Sequence, residues 1–346
     1  MQKILLNPGP TNTSFWTKFS QWFGSDVCHR TDKFSKDFST LQSLLLARYG
    51  DIDVNIAIMG GSGTLALESM ISTLCPDNTL FINAGSYGKR ALEIAARYSI
   101  KCSYLECRQL EDMKVNNNAK HVYFVENETS TGEHFSLAKM CDIYPNAKFF
   151  IDATSSFGAS DYSGFHDRIA AISFCSNKCL QSTPGLGVVL WGKHCETRVG
   201  SYYGDLSRYG EGKLPFTIPV QSVYALISTL ERGNNNKQLF DRRRGLIIRE
   251  FQSIGIDCLN QNPSNSIIAF RHPYMNYNQL KDFLYDRGIV IYSGIANEKN
   301  SFRLSTMSTK FDKSFRKIRR AFNDSCVHRY GCRHVSCWPF KFDKKG

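Results

Sequence analysis

Short apolar runs closed by turn residues recur through the first two hundred positions. Runs at 55–59, 80–82, 121–125, 148–151, 169–174 and 188–191 show no apolar–polar alternation, the pattern of strands buried on both faces. Between them the period lengthens. Residues 35–49 place Phe38, Leu41, Leu44, Leu45 and Leu46 on roughly one helical face, and 65–74 reads as a second helix. Strand-plus-loop units about every 25 to 35 residues predict an α/β fold with a mainly parallel sheet and helical crossovers. After Trp191 the pattern changes. Residues 201–216, rich in Tyr, Gly and charge, read as an exposed loop; helices at 217–230 and 238–251 are separated by Gly233-Asn234-Asn235-Asn236. The last ninety or so residues predict a small α+β unit, with strands at 266–270, 289–292 and 302–304 and helices at 277–287 and 310–322. The expected division is a large domain at 1–235 with an N-terminal arm, a small domain at 236–323 and a tail at 324–346.

In open α/β sheets ligands sit outside the carboxyl ends of the strands, so chemistry is sought there. Asp152 closes the run Lys148-Phe149-Phe150-Ile151, and Lys178 follows the next run and the turn Cys175-Ser176-Asn177. A turn-capping Asp and a surface Lys are each commonplace. Together at one sheet edge they are what a pyridoxal phosphate enzyme needs: the amine holds the aldehyde, and the acid keeps the pyridine nitrogen protonated. Gly60-Gly61-Ser62-Gly63-Thr64 joins a strand to a helix, a recurrent anion cradle of free backbone N–H groups. It matches neither a Walker loop nor a dinucleotide turn. Tyr87, flanked by glycines in Asn83-Ala84-Gly85-Ser86-Tyr87-Gly88, offers a flat ring that could stack on a cofactor. Hydroxyls cluster after the 121–125 run in Glu126-Asn127-Glu128-Thr129-Ser130-Thr131-Gly132. In Pro8-Gly9-Pro10 the prolines stiffen the turn and Gly9 permits close backbone approach.

Composition adds boundaries rather than chemistry. The 346 residues, 42% hydrophobic and 21% charged, suit a large globular domain plus a smaller one. No apolar stretch has the length of a signal-peptide core or a membrane span, so the expected location is cytoplasmic. Nine of the twelve cysteines, from Cys28 to Cys258, are scattered beside apolar residues and are expected to be reduced. The formal charge is +12, but 308–346 holds eleven Lys/Arg against three Asp, a net of +8. A general nucleic-acid surface is therefore not expected.

Taken in order, these motifs resemble the class V aminotransferases of fold-type I, and most nearly the 2-aminoethylphosphonate–pyruvate transaminases. The resemblance runs from about 5 to 322. It is carried by LNPGPTNTS at the start, DVCHR at 26–30, GGSGT at 60–64 and NAGSYGKR at 83–90. ENETSTG at 126–132, IDATSSFGA at 151–159, SNKCLQSTPGLG at 176–187, FTIP at 216–219 and FRLS at 302–305 continue it. It implies a seven-stranded large-domain sheet and pyridoxal 5'-phosphate bound through Lys178, with Asp152 on the ring nitrogen and Tyr87 stacked on the ring. Ser62, Gly63 and Thr64 would hold the phosphate, joined by Thr217 from a neighbouring subunit of a homodimer. Thr129 and Ser176 would lie beside the cofactor, and Arg303 and Gly9 beside the substrate. The implied reaction moves the amino group of 2-aminoethylphosphonate to pyruvate, giving phosphonoacetaldehyde and L-alanine, or runs the reverse.

Three departures and rivals stand beside that reading. The 201–213 loop and the small domain look shortened against the pattern, and the tail after Phe322 lies outside it. The same core would serve an alanine–glyoxylate or serine–glyoxylate aminotransferase, or a binding protein that has lost activity; a cysteine desulfurase is disfavoured because 293–305 holds no cysteine. In the tail Cys326, His328, Cys332, His334 and Cys337 include zinc-ligand types but not a standard zinc-finger spacing, and no metal site is assigned.

Overall fold

The computed structural model describes residues 3–24, 26–116, 118–233, 236–296 and 298–327. Its centre is a seven-stranded sheet of β1 (Asn55–Gly61), β2 (Leu80–Asn83), β3 (Ser103–Glu106), β4 (His121–Val125), β5 (Lys148–Asp152), β6 (Ile169–Cys175) and β7 (Gly185–Trp191). The order across the sheet is β1-β7-β6-β5-β4-β2-β3. Only β7 runs against its neighbours, which puts the carboxyl ends of the parallel strands along one edge. The helices are α1 (Phe15–Trp22), α2 (Asp32–Tyr49), α3 (Gly63–Leu74), α4 (Ser86–Arg97), α5 (Leu137–Ile143), α6 (Val220–Arg232), α7 (Lys237–Gln252), α8 (Tyr277–Asp286) and α9 (Phe311–Val327). Two apolar layers cover the sheet. One contains Phe34, Phe38 and Leu41 of α2 with Val223 and Leu226 of α6; the other contains Leu67, Met70 and Ile71 of α3 with Ala91 and Ile94 of α4.

The C-terminal unit has its own core around Phe251, Phe270, Phe302 and Phe322 and a four-stranded antiparallel sheet. Its strands are β8 (Asp257–Cys258), β9 (Ile267–Arg271), β10 (Tyr292–Ser293) and β11 (Ser301–Ser305), in the order β8-β9-β11-β10. The expected strand at 289–292 is divided. Ile289–Val290 pairs in parallel with Ile4–Leu5, while Tyr292–Ser293 joins the four-stranded sheet. Ile4 and Leu6 are consequently buried in the C-terminal core, although they begin the chain.

Three other expectations need correction. The 201–216 segment is only partly exposed: Leu206 and Tyr209 are buried, and Tyr203 stacks on Phe216 with ring centroids 4.9 Å apart. α3 begins at Gly63 rather than 65, so Gly63 and Thr64 belong to its first turn. α9 passes position 323 and ends at Val327. Among the described residues, ten cysteines are all unpaired and no helix is long and apolar enough to cross a membrane. The tail positions His328, Cys332, His334 and Cys337 lie outside the described residues.

Candidate active site

The site is assembled from strand ends. β1 runs into Ser62, the N-cap of α3, whose side chain makes no capping bond. The hydroxyl and the first-turn N–H groups therefore remain available to an anion. Gly63 is required by contact rather than by backbone angle: a Cβ there would stand 2.9 Å from the Thr154 methyl and 3.4 Å from Cys175 Cβ. Ser62, Gly63, Thr64, Tyr87 and Lys178 all line one cavity of about 250 Å³, together with Gly9, Arg90, Thr154, Asn177 and Tyr292.

Lys178 stands half-buried at this cavity. Its Nζ donates to Ser155 Oγ at 3.0 Å and lies 5.7 Å from the centroid of the Tyr87 ring. Ser155 Oγ is in turn 2.8 Å from the buried Thr129 hydroxyl. The stem of the lysine packs against Gly9, which has φ +133, and a Cβ on Gly9 would lie 3.4 Å from Lys178 Cγ. The positive φ is what favours glycine there; the contact itself is of ordinary van der Waals length.

Asp152, at the end of β5, is 3% exposed, and its Oδ1 accepts the Thr154 N–H at 2.9 Å. Burial pushes the carboxyl up; the Thr154 hydrogen bonds and the charges of Lys178 and Arg90 pull it part-way back. Among the described residues no cation lies within ion-pair distance of it. A buried carboxylate costs free energy without a cationic partner, and a protonated pyridine nitrogen supplies one. The anion cradle, the amine and this carboxylate are therefore the donor set that pyridoxal phosphate requires.

Tyr87 owes its position to Glu128. The N-cap of α4 is Gly85, which has no side chain to accept the first-turn N–H groups. The Glu128 carboxylate takes that role, accepting from Gly88 N at 3.2 Å and Tyr87 N at 3.5 Å. One turn along, Arg90 lays its guanidinium over the Tyr87 ring at 4.8 Å and reaches Thr64 Oγ1 at 3.4 Å. Arg90 lies within the NAGSYGKR motif, yet its sequence position alone gives it no role.

Arg303 is buried on β11 beside this cavity and stacks over Tyr292, which lines it, at 4.9 Å. Nε donates to Ser293 O at 2.6 Å, Nη1 to Thr129 O at 2.5 Å, and Nη2 to Ser293 Oγ at 3.4 Å. That occupies three of its five donors and fixes the plane of the group. Burial lowers its proton affinity, and among the described residues no carboxylate pairs with it. Thr129 thus links both ends of the site, its hydroxyl towards Ser155 and Lys178 and its carbonyl towards Arg303.

Of the expected residues, Asp152, Thr129, Arg303, Ser176 and Thr217 do not line this cavity; the first three reach it through Thr154, Ser155 and Tyr292. Ser176 is buried and donates its hydroxyl to Thr183 O at 2.6 Å, closing the turn after Lys178. Thr217 is exposed and does not line the cavity of its own chain. Thr154 and Asn177 line it, and Ser155 holds Lys178, without having been singled out; Thr154 and Ser155 follow Asp152 in a motif that does not reveal which hydroxyl meets the lysine.

Comparison with solved structures identifies the fold. The subgroup IV aspartate aminotransferase of Thermus thermophilus superposes with a TM-score of 0.84 at 23% identity, covering 94% of this chain and 99% of the other. An alanine–glyoxylate aminotransferase from Nostoc sp. gives 0.81 at 20% identity, with 94% and 96% covered. The fold is that of the fold-type I aminotransferases. No family model matches the chain. Among curated proteins, this aminotransferase-fold chain is 28% identical to the 2-aminoethylphosphonate–pyruvate transaminase of Syntrophobacter fumaroxidans, over 95% of its own length and 97% of the relative's. It is 26% identical to a bifunctional phosphonoacetaldehyde hydrolase/aminoethylphosphonate transaminase of Clostridioides difficile, covering 91% of this chain and 55% of that protein.

Proposed function

We propose that the protein is a pyridoxal phosphate-dependent transaminase that moves the amino group of 2-aminoethylphosphonate to pyruvate. The products are phosphonoacetaldehyde and L-alanine, and the two half-reactions are reversible. The observation that carries this reading is the Lys178 amine, held by Ser155 beside the Tyr87 ring, in one cavity with the anion cradle and near the buried Asp152, which has no ion-pair partner among the described residues. The bound cofactor supplies an electron sink for the carbon that carries the amino group.

The chain's own residues then have separate tasks. Ser62, Gly63 and Thr64 hold the cofactor phosphate, Tyr87 covers the ring, and Asp152 keeps the ring nitrogen protonated. Lys178 Nζ would hold the cofactor and would serve as the base that carries the proton off the substrate carbon. Ser155 and Thr129 position that amine. Arg303 binds the carboxylate of the keto acid through its free donors, with Gly9 close by, because a guanidinium matches planar and tetrahedral anions alike.

Two observations favour a phosphonate over a simple carboxylate donor. Arg90 lines the cavity and Arg303 lies beside it, two guanidinium groups for anions, and the curated relatives above are named as aminoethylphosphonate transaminases. The alanine–glyoxylate reading remains the alternative that substrate profiling separates.

The working form is a homodimer in the cytoplasm, with Thr217 completing the partner's phosphate site. Its exposed position supports this, as does the aromatic face of α1, where Phe15, Trp22 and Phe23 are 69–75% exposed. Replacing Lys178 with Ala tests the assignment. The variant is expected to lose the visible absorbance of the covalently held cofactor and to transaminate at least ~10³-fold more slowly, about 4 kcal/mol. Retention of both would remove Lys178 from the reaction.

A further inference from the structure

A second cavity, of about 340 Å³, opens at the opposite end of the large sheet. β5 connects the two places: Asp152 ends it at the first, and Lys148 begins it at the second. The floor is apolar. Leu74, Phe150 and Ala170 belong to the buried layer beneath α3, which here reaches the surface. The loop through His194 and Arg198 forms the outer wall.

The inner edge has a specific donor pair. His121 and Lys148 are register partners on β4 and β5, so an imidazole and an ammonium start neighbouring strands side by side. Lys148 Nζ donates to the Asp167 carbonyl, a neutral oxygen that leaves its charge uncompensated. His121 is half-buried with its ring 6.2 Å from that of Phe150, and no hydrogen bond engages its nitrogens among the described residues. Arg198, 3.5 Å from Asp77, and His194 add donors on the rim, where Glu196 is the one acidic lining residue among those described.

An apolar floor of this size with a few convergent polar groups is the usual form of a small-molecule site. We propose that this cavity binds a small aromatic carboxylate. The ring would lie on Phe150 and Ala170, and the two carboxylate oxygens would meet Lys148 Nζ and the His121 imidazole. None of these residues belongs to the Lys178 site, so this proposal stands or falls independently of the transaminase reading.

Isothermal titration of the cofactor-loaded protein with 2-naphthoate, under saturating pyruvate to occupy the carboxylate position of the first site, tests it. One saturable site per chain is expected. Lys148→Met should weaken it at least tenfold, and Thr197→Trp, at an exposed position lining the cavity, should abolish it without changing the transamination rate. The neutral 2-naphthalenemethanol should bind at least tenfold more weakly than the acid. No saturable binding, binding unchanged in either variant, or equal binding of the alcohol would overturn the proposal.

Discussion

In the proposed function a single amine just past the end of a buried strand, Lys178, sets the chemistry, and its neighbours decide whether it can act. Lys178 and Asp152 were legible in the sequence because apolar runs place them at strand ends, whereas Ser155 was not. It is one of two adjacent serines, and only the strand register and the following turn bring its oxygen to 3.0 Å from the amine. Arg303 is a buried cation fixed by Ser293 and Thr129. Arg303→Ala should raise KM for pyruvate at least ~10-fold, about 1.4 kcal/mol; an unchanged KM would remove it from the anion site. His272 offers a check away from the site. It is buried, accepts the Met275 N–H at 2.9 Å on Nδ1, and burial lowers its pKa from 6.5 to about 4. The unfolded chain binds this proton between those values and the folded chain does not, so stability is full above pH 6.5 and falls as pH drops towards 4. A His272→Gln variant should show a flatter fall in Tm over that window, measured by thermal melts at matched ionic strength.

Elements, rather than isolated residues, make the anion cradle. The β1–turn–α3 unit was readable from its glycines and hydroxyls, but the helix start was placed two residues late because Gly63 and Thr64 are weak helix formers. β3 was missed for a different reason: all four of its residues are exposed, so this edge strand has no buried-strand pattern. The pairing of Ile4–Leu5 with Ile289–Val290 joins segments nearly three hundred residues apart, and local periodicity cannot report it. α4 is the element whose support is most testable. Glu128 replaces the absent capping side chain, so Glu128→Ala should cost about 1 kcal/mol of stability. It should also weaken cofactor binding in a fluorescence titration, because Tyr87 and Arg90 sit on the turns that Glu128 holds. Loss of stability with unchanged cofactor affinity would reduce Glu128 to a purely structural cap.

At the scale of the whole molecule, two features stand exposed on the single chain: Thr217 and the aromatic face of α1. With Trp22 exposed next to them in the chain, Phe15, Trp16, Phe19 and Phe23 form an exposed, contacting set on and beside α1. Its sequence gave no strong helical signal because the aromatic residues are interspersed with Ser, Thr, Lys and Gln. A Trp22→Glu, Phe23→Glu double variant should shift the protein towards monomer in sedimentation velocity and weaken cofactor binding as the partner's Thr217 is lost. A variant that remains dimeric with unaltered affinity would place the interface elsewhere. The division into a large sheet and a smaller C-terminal unit was visible in the change of pattern after Trp191, but the return of the N-terminal strand to the C-terminal core was not.

Neither Lys178 nor Asp152 chooses the amino donor. The direct measurement is alanine formation from pyruvate with the cofactor-loaded protein, comparing 2-aminoethylphosphonate with serine, β-alanine and taurine as donors. The account predicts that the phosphonate supports a kcat/KM at least ~10²-fold above each of the others, about 2.7 kcal/mol of discrimination. Turnover with a carboxylated amine and none with the phosphonate would contradict it.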